Sequence, residues 1–240
     1  KDPEDIAARD RLVLFFHYLL VDALMVGGFD NDLDGVIEEN LPNFKGKLDW
    51  LGLQYYFRAG VTGNGGLLPV LKLTPCFSTF DFGSCVEPID RSYCVPTMGY
   101  EHYAPGIQTV IAAFGARFPG LPLVISEGGI GTEVGERRAE NIVRALEHIH
   151  AARRSGVDVR GYYHWSLYDN FEWAEGFGPR FGLYSVDYAT YERTPTLGAD
   201  VLAQITEGRK LSRALRSKHG GKGPMTTEGS PPEDGACQKY

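Results

Sequence analysis

Two spacings of apolar residues alternate along most of the chain. Apolar residues that recur every three or four positions predict helices, and short unbroken apolar runs predict buried strands. On this basis we predict helices at 3–26, 104–118, 136–154 and 195–206. We predict strands at 48–56, 121–126 and 161–167, with a shorter hairpin-like strand at 181–186.

The order of these elements indicates the fold class. Helices alternate with strands, which is typical of parallel βα units. The strands are apolar throughout, as strands covered on both faces are. Three parallel strands are too few to close into a barrel. The pattern therefore predicts one part of a larger α/β fold.

Helix 136–154 has the clearest amphipathic pattern. Ile142, Leu146 and Ile149 share one face, and charged residues lie between them. Gly156 follows the last turn as a helix stop. We expect this helix to turn its apolar face inward and its charges outward.

Composition narrows the class of protein. Hydrophobic residues make up 43% and charged residues 23% of the 240 residues, which is ordinary for a globular chain. The net charge of -7 predicts no nucleic-acid partner. The most apolar stretch, 12–26, contains His17 and Asp22 and is too short to span a bilayer, which predicts no membrane partner. The segment 208–240 is basic and then rich in Gly, Pro and Ser, so we predict a disordered tail there.

The first residue and the cysteines bear on cellular location. The chain starts at Lys1, not Met, with no signal peptide visible, so we interpret it as a processed, engineered or partial chain. Cys76, Cys85 and Cys94 recur every nine residues and Cys237 stands alone, without the CxxC pairs of a zinc site. We predict free thiols, a reducing compartment and a cytoplasmic location.

The turn-rich segment 30–35 has the pattern D-x-D-x-D-G of a calcium loop. Such a loop has Glu at its twelfth position, where this chain has Leu41. We therefore interpret the segment as a solvated connection and predict no metal site.

Glu127 stands at the end of a predicted buried strand, directly before Gly128 and Gly129. In βα proteins the carboxyl ends of the strands form the rim where active sites lie. A carboxylate at this place is a candidate for chemistry. The same position also suits a helix N-cap or a surface turn, and position alone leaves both readings open.

A second set of candidate residues follows the predicted strand 161–167. Aromatic faces beside acids and amides suit a sugar ring, whose CH groups stack and whose hydroxyls need hydrogen bonds. A structural aromatic cluster is the alternative. On residue types alone, Glu127 and Glu172 would be paired as nucleophile and acid. The set consists of Trp165, Asp169, Asn170, Glu172 and Trp173.

Three stretches resemble the family 1 glycoside hydrolases. Residues 122–130 (PLVISEGGI) resemble the strand that carries the family's nucleophile, and residues 45–56 (KGKLDWLGLQYY) resemble the sixth strand and its approach. Residues 161–188 resemble the signature of the eighth strand, in which WSLYDNFEW followed by RFGL is long and highly specific. The resemblance extends over residues 8–206.

The resemblance implies a (β/α)8 TIM barrel and a retaining β-glucosidase or β-galactosidase that needs no cofactor. Residues 1–207 would be the C-terminal portion of that barrel, with strands six to eight, and residues 208–240 would be the tail. The resemblance also implies that Glu127 is the nucleophile, that Tyr56 hydrogen-bonds its carboxylate and that Trp165 forms the platform under the sugar. The remaining residues implied to bind or lie near the sugar are Gln54, Glu172, Trp173 and Phe181.

Three positions depart from the family's pattern. Gln54 and Gly128 each stand where the family usually has Asn, so the preferred sugar stays open between glucose, galactose and fucose. His164 replaces a usual aliphatic residue, and we predict that it is a structural barrel histidine.

The family's acid/base Glu lies in a T-x-N-E-P motif on the fourth strand, and this sequence contains no such motif. We therefore expect a β-glycoside substrate to be hydrolysed only with the N-terminal half of the barrel, and this chain alone to be inactive. Two alternatives remain: a sugar-binding pseudoenzyme with the same fold, and an assembly module that needs another chain.

Overall fold

The computed structural model describes residues 2–63, 71–76, 94–95, 97–223 and 225–226. These residues belong to two compact units. The first consists of 2–51, 59–63 and 71–76, and the second consists of 52–58 with the described residues from 94 onward.

The described residues form helices and short strands in the following order along the chain. The helices are α1 (Pro3–Val13), α2 (Leu19–Val26), α3 (Pro105–Arg117), α4 (Gly135–Arg154), α5 (Leu197–Gly208) and α6 (Arg213–His219). A π-helical turn spans Leu14–Tyr18, and a 3-10 turn spans Trp173–Glu175. The strands are β1 (Gly28–Phe29), β2 (Glu39–Asn40), β3 (Leu51–Tyr55), β4 (Gly60–Thr62), β5 (Thr74–Cys76), β6 (Cys94–Val95), β7 (Tyr100–Glu101), β8 (Leu123–Gly128), β9 (Val159–His164), β10 (Tyr184–Val186) and β11 (Arg193–Pro195).

The first unit starts with α1, the π-helical turn and α2 in succession, as the apolar spacing predicts. Asp2 caps the start, because its carboxylate accepts a hydrogen bond from the backbone N–H of Glu4 at 2.9 Å. Gly27 ends the segment in the left-handed conformation, with φ of 74°. The buried cluster of this unit contains Ala8, Leu14, Leu33, Leu71 and Leu73.

The acidic loop after β1 is a tight turn built on Asp30. This residue is buried, and its carboxylate accepts backbone hydrogen bonds from Leu33 at 2.6 Å and Gly35 at 2.8 Å. The prediction that this segment is a solvated connection is therefore wrong at Asp30. Carboxylate oxygens within 4.8 Å of one another belong to Asp30, Asp32, Asp34 and Glu38.

A three-stranded sheet in the order β3–β8–β9 forms part of the second unit. Strands β8 and β9 are parallel, with Leu123 opposite Val159 and Gly128 opposite His164. Helix α4 is the crossover between them and packs against α3, α5 and α6. The predicted helices and strands are confirmed, with shifts of a few residues at their ends. The strand predicted at 161–167 ends at His164, so Trp165 follows it directly.

Helix α4 buries charged residues that we expected in solvent. The guanidinium group of Arg138 donates to the carbonyl oxygens of Thr132, at 3.0 and 2.6 Å, and of Arg180, at 2.6 Å. The prediction of outward-facing charges is therefore wrong for four residues of this helix, whereas Arg153 and Arg154 are exposed as predicted. The buried charged residues are Arg137, Arg138, Glu140 and Arg144.

The predicted disordered tail contains folded residues. Helix α6 begins after Ser212, whose hydroxyl accepts a hydrogen bond from the backbone N–H of Leu215 at 3.2 Å. Leu215 joins a buried cluster with residues of α4, and Met225 is 3% exposed. The prediction of disorder is wrong for 213–219, where Leu215 packs against α4, and for 225–226, where Met225 is buried and Thr226 bonds to Glu140. Residues 227–240 lie outside the described part of the chain.

Cys76 corrects the prediction of free thiols, because it is bonded in a disulfide. Cys85, Cys237 and the side chain of Cys94 lie outside the described residues. Disulfides persist mainly in oxidising compartments, so the bonded Cys76 argues against the predicted reducing compartment. The cytoplasmic location stays a prediction. Among the described helices, none has the length and apolar character needed to cross a membrane.

Candidate active site

Glu127 is the next-to-last residue of β8, and its side chain is partly buried. Ser126 ties this part of β8 to β3, because its hydroxyl donates a hydrogen bond to the carbonyl oxygen of Leu53 at 3.2 Å. The carboxylate therefore projects from a strand whose position is set by both sheet neighbours.

Two side chains from the end of β3 donate hydrogen bonds to the Glu127 carboxylate. The Tyr56 hydroxyl donates to Oε2 at 2.6 Å, and the Gln54 amide Nε2 donates to Oε1 at 2.8 Å. Gln54 and Tyr56 are two positions apart, the spacing that places strand side chains on one face. Both oxygens of Glu127 are thus held, which orients the carboxylate.

Tyr56 is suited to act only as a donor. Burial and the hydrogen bond to Glu127 raise the pKa of Tyr56 well above its usual value, so the phenol stays protonated. Its ring meets the ring of Phe181 edge to face, with centroids 6.0 Å apart and planes at 87°. Phe181 is 4% exposed, so it supports the Tyr56 ring from within the protein.

Trp165 and Glu172 are brought together beside this carboxylate. The Trp165 side chain forms a hydrogen bond with Glu172. Burial raises the pKa of Glu172, the Trp165 hydrogen bond opposes that rise, and the charges of Glu127 and Glu175 add to it. The charge of Glu127 is close enough to act on Glu172, so the two carboxylates share one site.

Trp173 directly follows Glu172 and is largely in solvent, with 81% of its surface exposed. It begins the 3-10 turn with φ of 46°, in the left-handed region. An indole exposed to this extent beside Glu172 can offer its face to a ligand.

Gly129 allows the ends of β8 and β9 to approach closely. A Cβ atom at Gly129 would overlap the carbonyl oxygen of Trp165. The backbone N–H of Trp165 also donates to the carbonyl oxygen of Gly128 at 2.9 Å. The glycine after the candidate nucleophile's strand therefore sets the position of Trp165 relative to Glu127.

Gly128 and His164, two positions that depart from the family's pattern, lie close to the same residue, Tyr162. A Cβ atom at Gly128 would meet the Tyr162 ring at 3.2 Å, so Tyr162 occupies the space that a larger residue would need. The Tyr162 hydroxyl lies 3.1 Å from Nδ1 of His164. His164 is thus part of the packing behind the strand, in keeping with the predicted structural role.

Asp169 holds the segment that follows β9, a role that the sequence patterns did not reveal. Its carboxylate accepts backbone hydrogen bonds from Gly182 at 2.8 Å and Val186 at 3.1 Å, and Arg180 pairs with it at 3.3 Å. The residue is 5% exposed. A buried carboxylate that accepts several hydrogen bonds indicates a structural role. In the sequence, the only sign of this role is the position of Asp169 among aromatic residues.

A small cavity of about 10 Å³ lies beneath the candidate site. Its lining includes Tyr56, Gly128 and His102, and His102 is 3% exposed. Burial, together with the nearby charges of Arg144 and Arg137, lowers the pKa of His102 to about 4. His102 is therefore neutral at neutral pH, and the sequence reasoning did not single it out.

Comparisons with known proteins identify the family of this chain. The sequence profile of Glycosyl hydrolase family 1 matches residues 1–210. A β-galactosidase of Sulfolobus acidocaldarius is 32% identical over 217 residues, which cover 89% of this chain and 41% of the relative. A protein of Oryza sativa subsp. japonica named probable inactive β-glucosidase 14 is 28% identical over 239 residues, covering 89% of this chain and 45% of the relative.

A solved structure, the β-glycosidase from Pyrococcus horikoshii, matches with a TM-score of 0.76 and 30% identity, over 94% of this chain and 49% of that one. The match confirms the predicted fold class, an α/β fold that is part of a (β/α)8 TIM barrel. The chain spans half or less of the length of these relatives, from 41% to 49%.

Proposed function

The chain belongs to glycosyl hydrolase family 1, and we propose that the whole protein is a retaining β-glycosidase that acts on β-glucosides or related β-glycosides. The observation that supports this most directly is the Glu127 carboxylate, held through both oxygens by Tyr56 and Gln54. A carboxylate fixed in this way is prepared for nucleophilic attack.

In the proposed reaction, a Glu127 oxygen attacks the anomeric carbon of the sugar. The bond from that carbon to the leaving oxygen breaks as an acid donates a proton to this oxygen, and a glycosyl-enzyme ester forms. A water molecule, deprotonated by the same acid residue in its basic form, then attacks the anomeric carbon and releases the Glu127 carboxylate. Two carboxyl groups suffice for this chemistry, so we propose no cofactor and no metal.

Glu172 is the second carboxyl group near Glu127 in the described residues, and we assign it to sugar binding. Its hydrogen bond with Trp165 ties it to the indole that we propose as the platform under the sugar ring. A carboxylate beside the platform accepts hydrogen bonds from the outer hydroxyls of the sugar, with Trp173 next to it. Gln54 has its amide on Glu127, so we propose that it orients the nucleophile as well as facing the sugar.

We propose that the acid/base Glu comes from the N-terminal part of the barrel. The T-x-N-E-P motif does not occur in the 240 residues, and retention requires a second carboxyl group about 5–5.5 Å from the nucleophile. The chain alone would then bind sugar poorly and turn over negligibly. Co-expression with a separately supplied N-terminal half would restore aryl-β-glucosidase activity, whereas activity of residues 1–240 alone would contradict the proposal.

The nucleophile is tested by a matched pair of substitutions in the whole protein. Glu127→Gln keeps the size of the side chain but replaces one accepting oxygen by an NH2 group and removes the nucleophilic charge, so it should abolish turnover and labelling by an activated 2-fluoro glycoside. Glu172→Gln should raise KM while the 2-fluoro reagent still labels Glu127. Peptide mass spectrometry identifies the labelled residue, and a label on any residue other than Glu127 would disprove the assignment.

A sugar-binding pseudoenzyme is the second candidate function. This chain is 28% identical to the rice relative named probable inactive β-glucosidase 14, and it departs from the family at Gln54 and Gly128. Calorimetry and an activity assay on the whole protein distinguish the two functions, because a pseudoenzyme would bind a β-glycoside without hydrolysing it.

A further inference from the structure

The described C-terminal residues 213–223, 225 and 226 lie beyond the residues 1–210 that match family 1. We call them the C-terminal strap. We propose that Met225, near the end of the strap, is a positioning residue that acts on the catalytic nucleophile, Glu127, through Tyr56. The inference rests on the proposed function and extends it to a part of the chain outside the family match.

Three residues on one face of α4 hold the strap. Glu147 accepts hydrogen bonds from Nε of Arg216 at 2.7 Å and from the backbone N–H of Gly221 at 3.4 Å. Further toward the helix N-terminus, Arg144 donates to the carbonyl oxygen of Gly223 at 2.8 Å. Residues 140, 144 and 147 are spaced four and three apart, which places them on one side of the helix. The strap therefore runs along this face of α4 and is bonded to it.

Glu140 makes the last attachment, next to Met225. Its carboxylate accepts hydrogen bonds from the backbone N–H of Thr226 at 2.9 Å and from the Thr226 hydroxyl at 2.8 Å. Glu140 is 9% exposed, so these bonds form where water competes little. This attachment fixes the backbone on the C-terminal side of Met225.

Met225 belongs to a buried cluster that supports the site. Its side chain is 3% exposed and packs with Val95, Tyr100 and Ile130, and the ring of Tyr56 packs against this cluster. Methionine fills irregular spaces well, and its removal leaves a cavity that neighbouring side chains can relax into. Tyr56 is a neighbour whose relaxation would matter for catalysis.

The link to Glu127 is the Tyr56 hydroxyl. Its hydrogen bond to Oε2 is 2.6 Å long, and the rest of the ring is held by the Met225 cluster and by Phe181. A ring that gains freedom keeps the hydroxyl on the carboxylate for less of the time. Misplacement of a positioning group by about 1 Å can lower an enzymatic rate by about a hundredfold.

The test uses the whole protein and four backgrounds: wild type, Met225→Ala, Tyr56→Phe and the double substitution. We expect Met225→Ala to lower kcat/KM for aryl β-glycosides by about tenfold to a hundredfold, mainly through kcat. In the Tyr56→Phe background the same change should have no further effect, because the hydroxyl through which it acts is absent. Equal losses in both backgrounds would overturn the proposal and leave Met225 a purely structural residue.

Matched variants separate positioning from general destabilisation. Met225→Leu keeps the buried volume and should restore most of the rate. Leu215→Ala removes a buried residue of the same strap that packs in a cluster without Tyr56, so it should lower thermal stability and leave kcat unchanged. Glu140→Gln, which loses the charge that holds Thr226, should lower kcat in the same direction as Met225→Ala. A loss of kcat in Leu215→Ala as large as in Met225→Ala would contradict the proposal.

A measurement that needs no catalytic turnover tests the role of Met225 independently of the proposed function. Backbone amide exchange of residues 53–57 should be faster in Met225→Ala than in wild type, and unchanged in Leu215→Ala. If the wild-type protein hydrolyses no glycoside, the proposed function fails while this result still decides whether Met225 holds Tyr56. Unchanged exchange in Met225→Ala would overturn the inference.

Discussion

The hydroxyl of Tyr56 donates a 2.6 Å hydrogen bond to Oε2 of Glu127, a residue 71 positions further along the chain. The contact exists because β3 and β8 are neighbours in the sheet and both side chains lie where these strands end. The amide Nε2 of Gln54, in β3, donates a second hydrogen bond, to Oε1 of Glu127, at 2.8 Å. The nucleophile proposed here is thus oriented from β3 before any substrate binds.

Removal of the Tyr56 hydroxyl tests the importance of this contact. Tyr56→Phe keeps the ring and its contact with Phe181 but loses a charge-assisted hydrogen bond, which contributes about 1.5–3 kcal/mol. We expect kcat/KM of the whole protein to fall by about tenfold to a hundredfold, with little change in thermal unfolding. Steady-state kinetics and circular dichroism measure the two quantities. An unchanged kcat/KM would show that Gln54 alone orients Glu127.

Gln54 differs from the family's usual Asn by one methylene group. Gln54→Asn shortens the side chain, so its amide no longer reaches Oε1 from the present backbone position. We expect a fall in kcat/KM of about tenfold, the value of one hydrogen bond to a charged group. The ratio of glucoside to galactoside hydrolysis should also change, because the freed amide turns to the sugar. Parallel assays with the two nitrophenyl glycosides measure the ratio, and an unchanged rate and ratio would contradict the role of Gln54.

Gly129 should tolerate no side chain. An added Cβ would overlap the carbonyl oxygen of Trp165, so Gly129→Ala must push the proposed sugar platform away from Glu127. We expect a loss of at least about tenfold in kcat/KM, because catalytic geometry is sensitive to such shifts. Gly178→Ala is the matched control, since its Cβ would meet only the carbonyl oxygen of Glu175, at an ordinary 3.5 Å. Comparable losses in both variants would show that the Trp165 contact is not the cause.

His102 should make the fold sensitive to acid. Burial lowers its pKa to about 4 in the folded protein, against about 6.5 in the unfolded chain. The contribution of neutral His102 to the free energy of unfolding is therefore fully present above about pH 6.5. It is lost as the pH falls toward 4, because in this range only the unfolded chain takes up the proton. The loss amounts to about 3 kcal/mol. Arg144 and Arg137 add to the cost of a charged imidazole in this place.

His102→Gln removes this dependence while it keeps a polar side chain. The difference in unfolding free energy between wild type and variant, measured in denaturant at pH 7 and at pH 4.5, should shift in favour of the variant at the lower pH. A difference that stays constant across this range would show that His102 titrates normally.

The sequence alone determined the order of the elements and the candidate nucleophile. Apolar spacing reflects the repeat of a helix or strand, which is a local property, so β3, α3, β8, α4 and β9 were predicted within a few residues. The family resemblance added the roles of Glu127 and Tyr56, and the structure places the two side chains in contact. Element type and strand-end position follow from neighbours in the chain, which a sequence displays directly.

Only the tertiary structure decided what covers each surface. Helical periodicity places Glu140, Arg144 and Glu147 on one face of α4 but does not show that the C-terminal strap binds there. The polar composition of residues 208–226 predicts disorder, and their order arises from partners more than sixty positions away. The burial of Met225 and the neutral state of His102 likewise depend on neighbours that are distant in the sequence. Such contacts are set by the packing of the whole chain, and no local pattern encodes them.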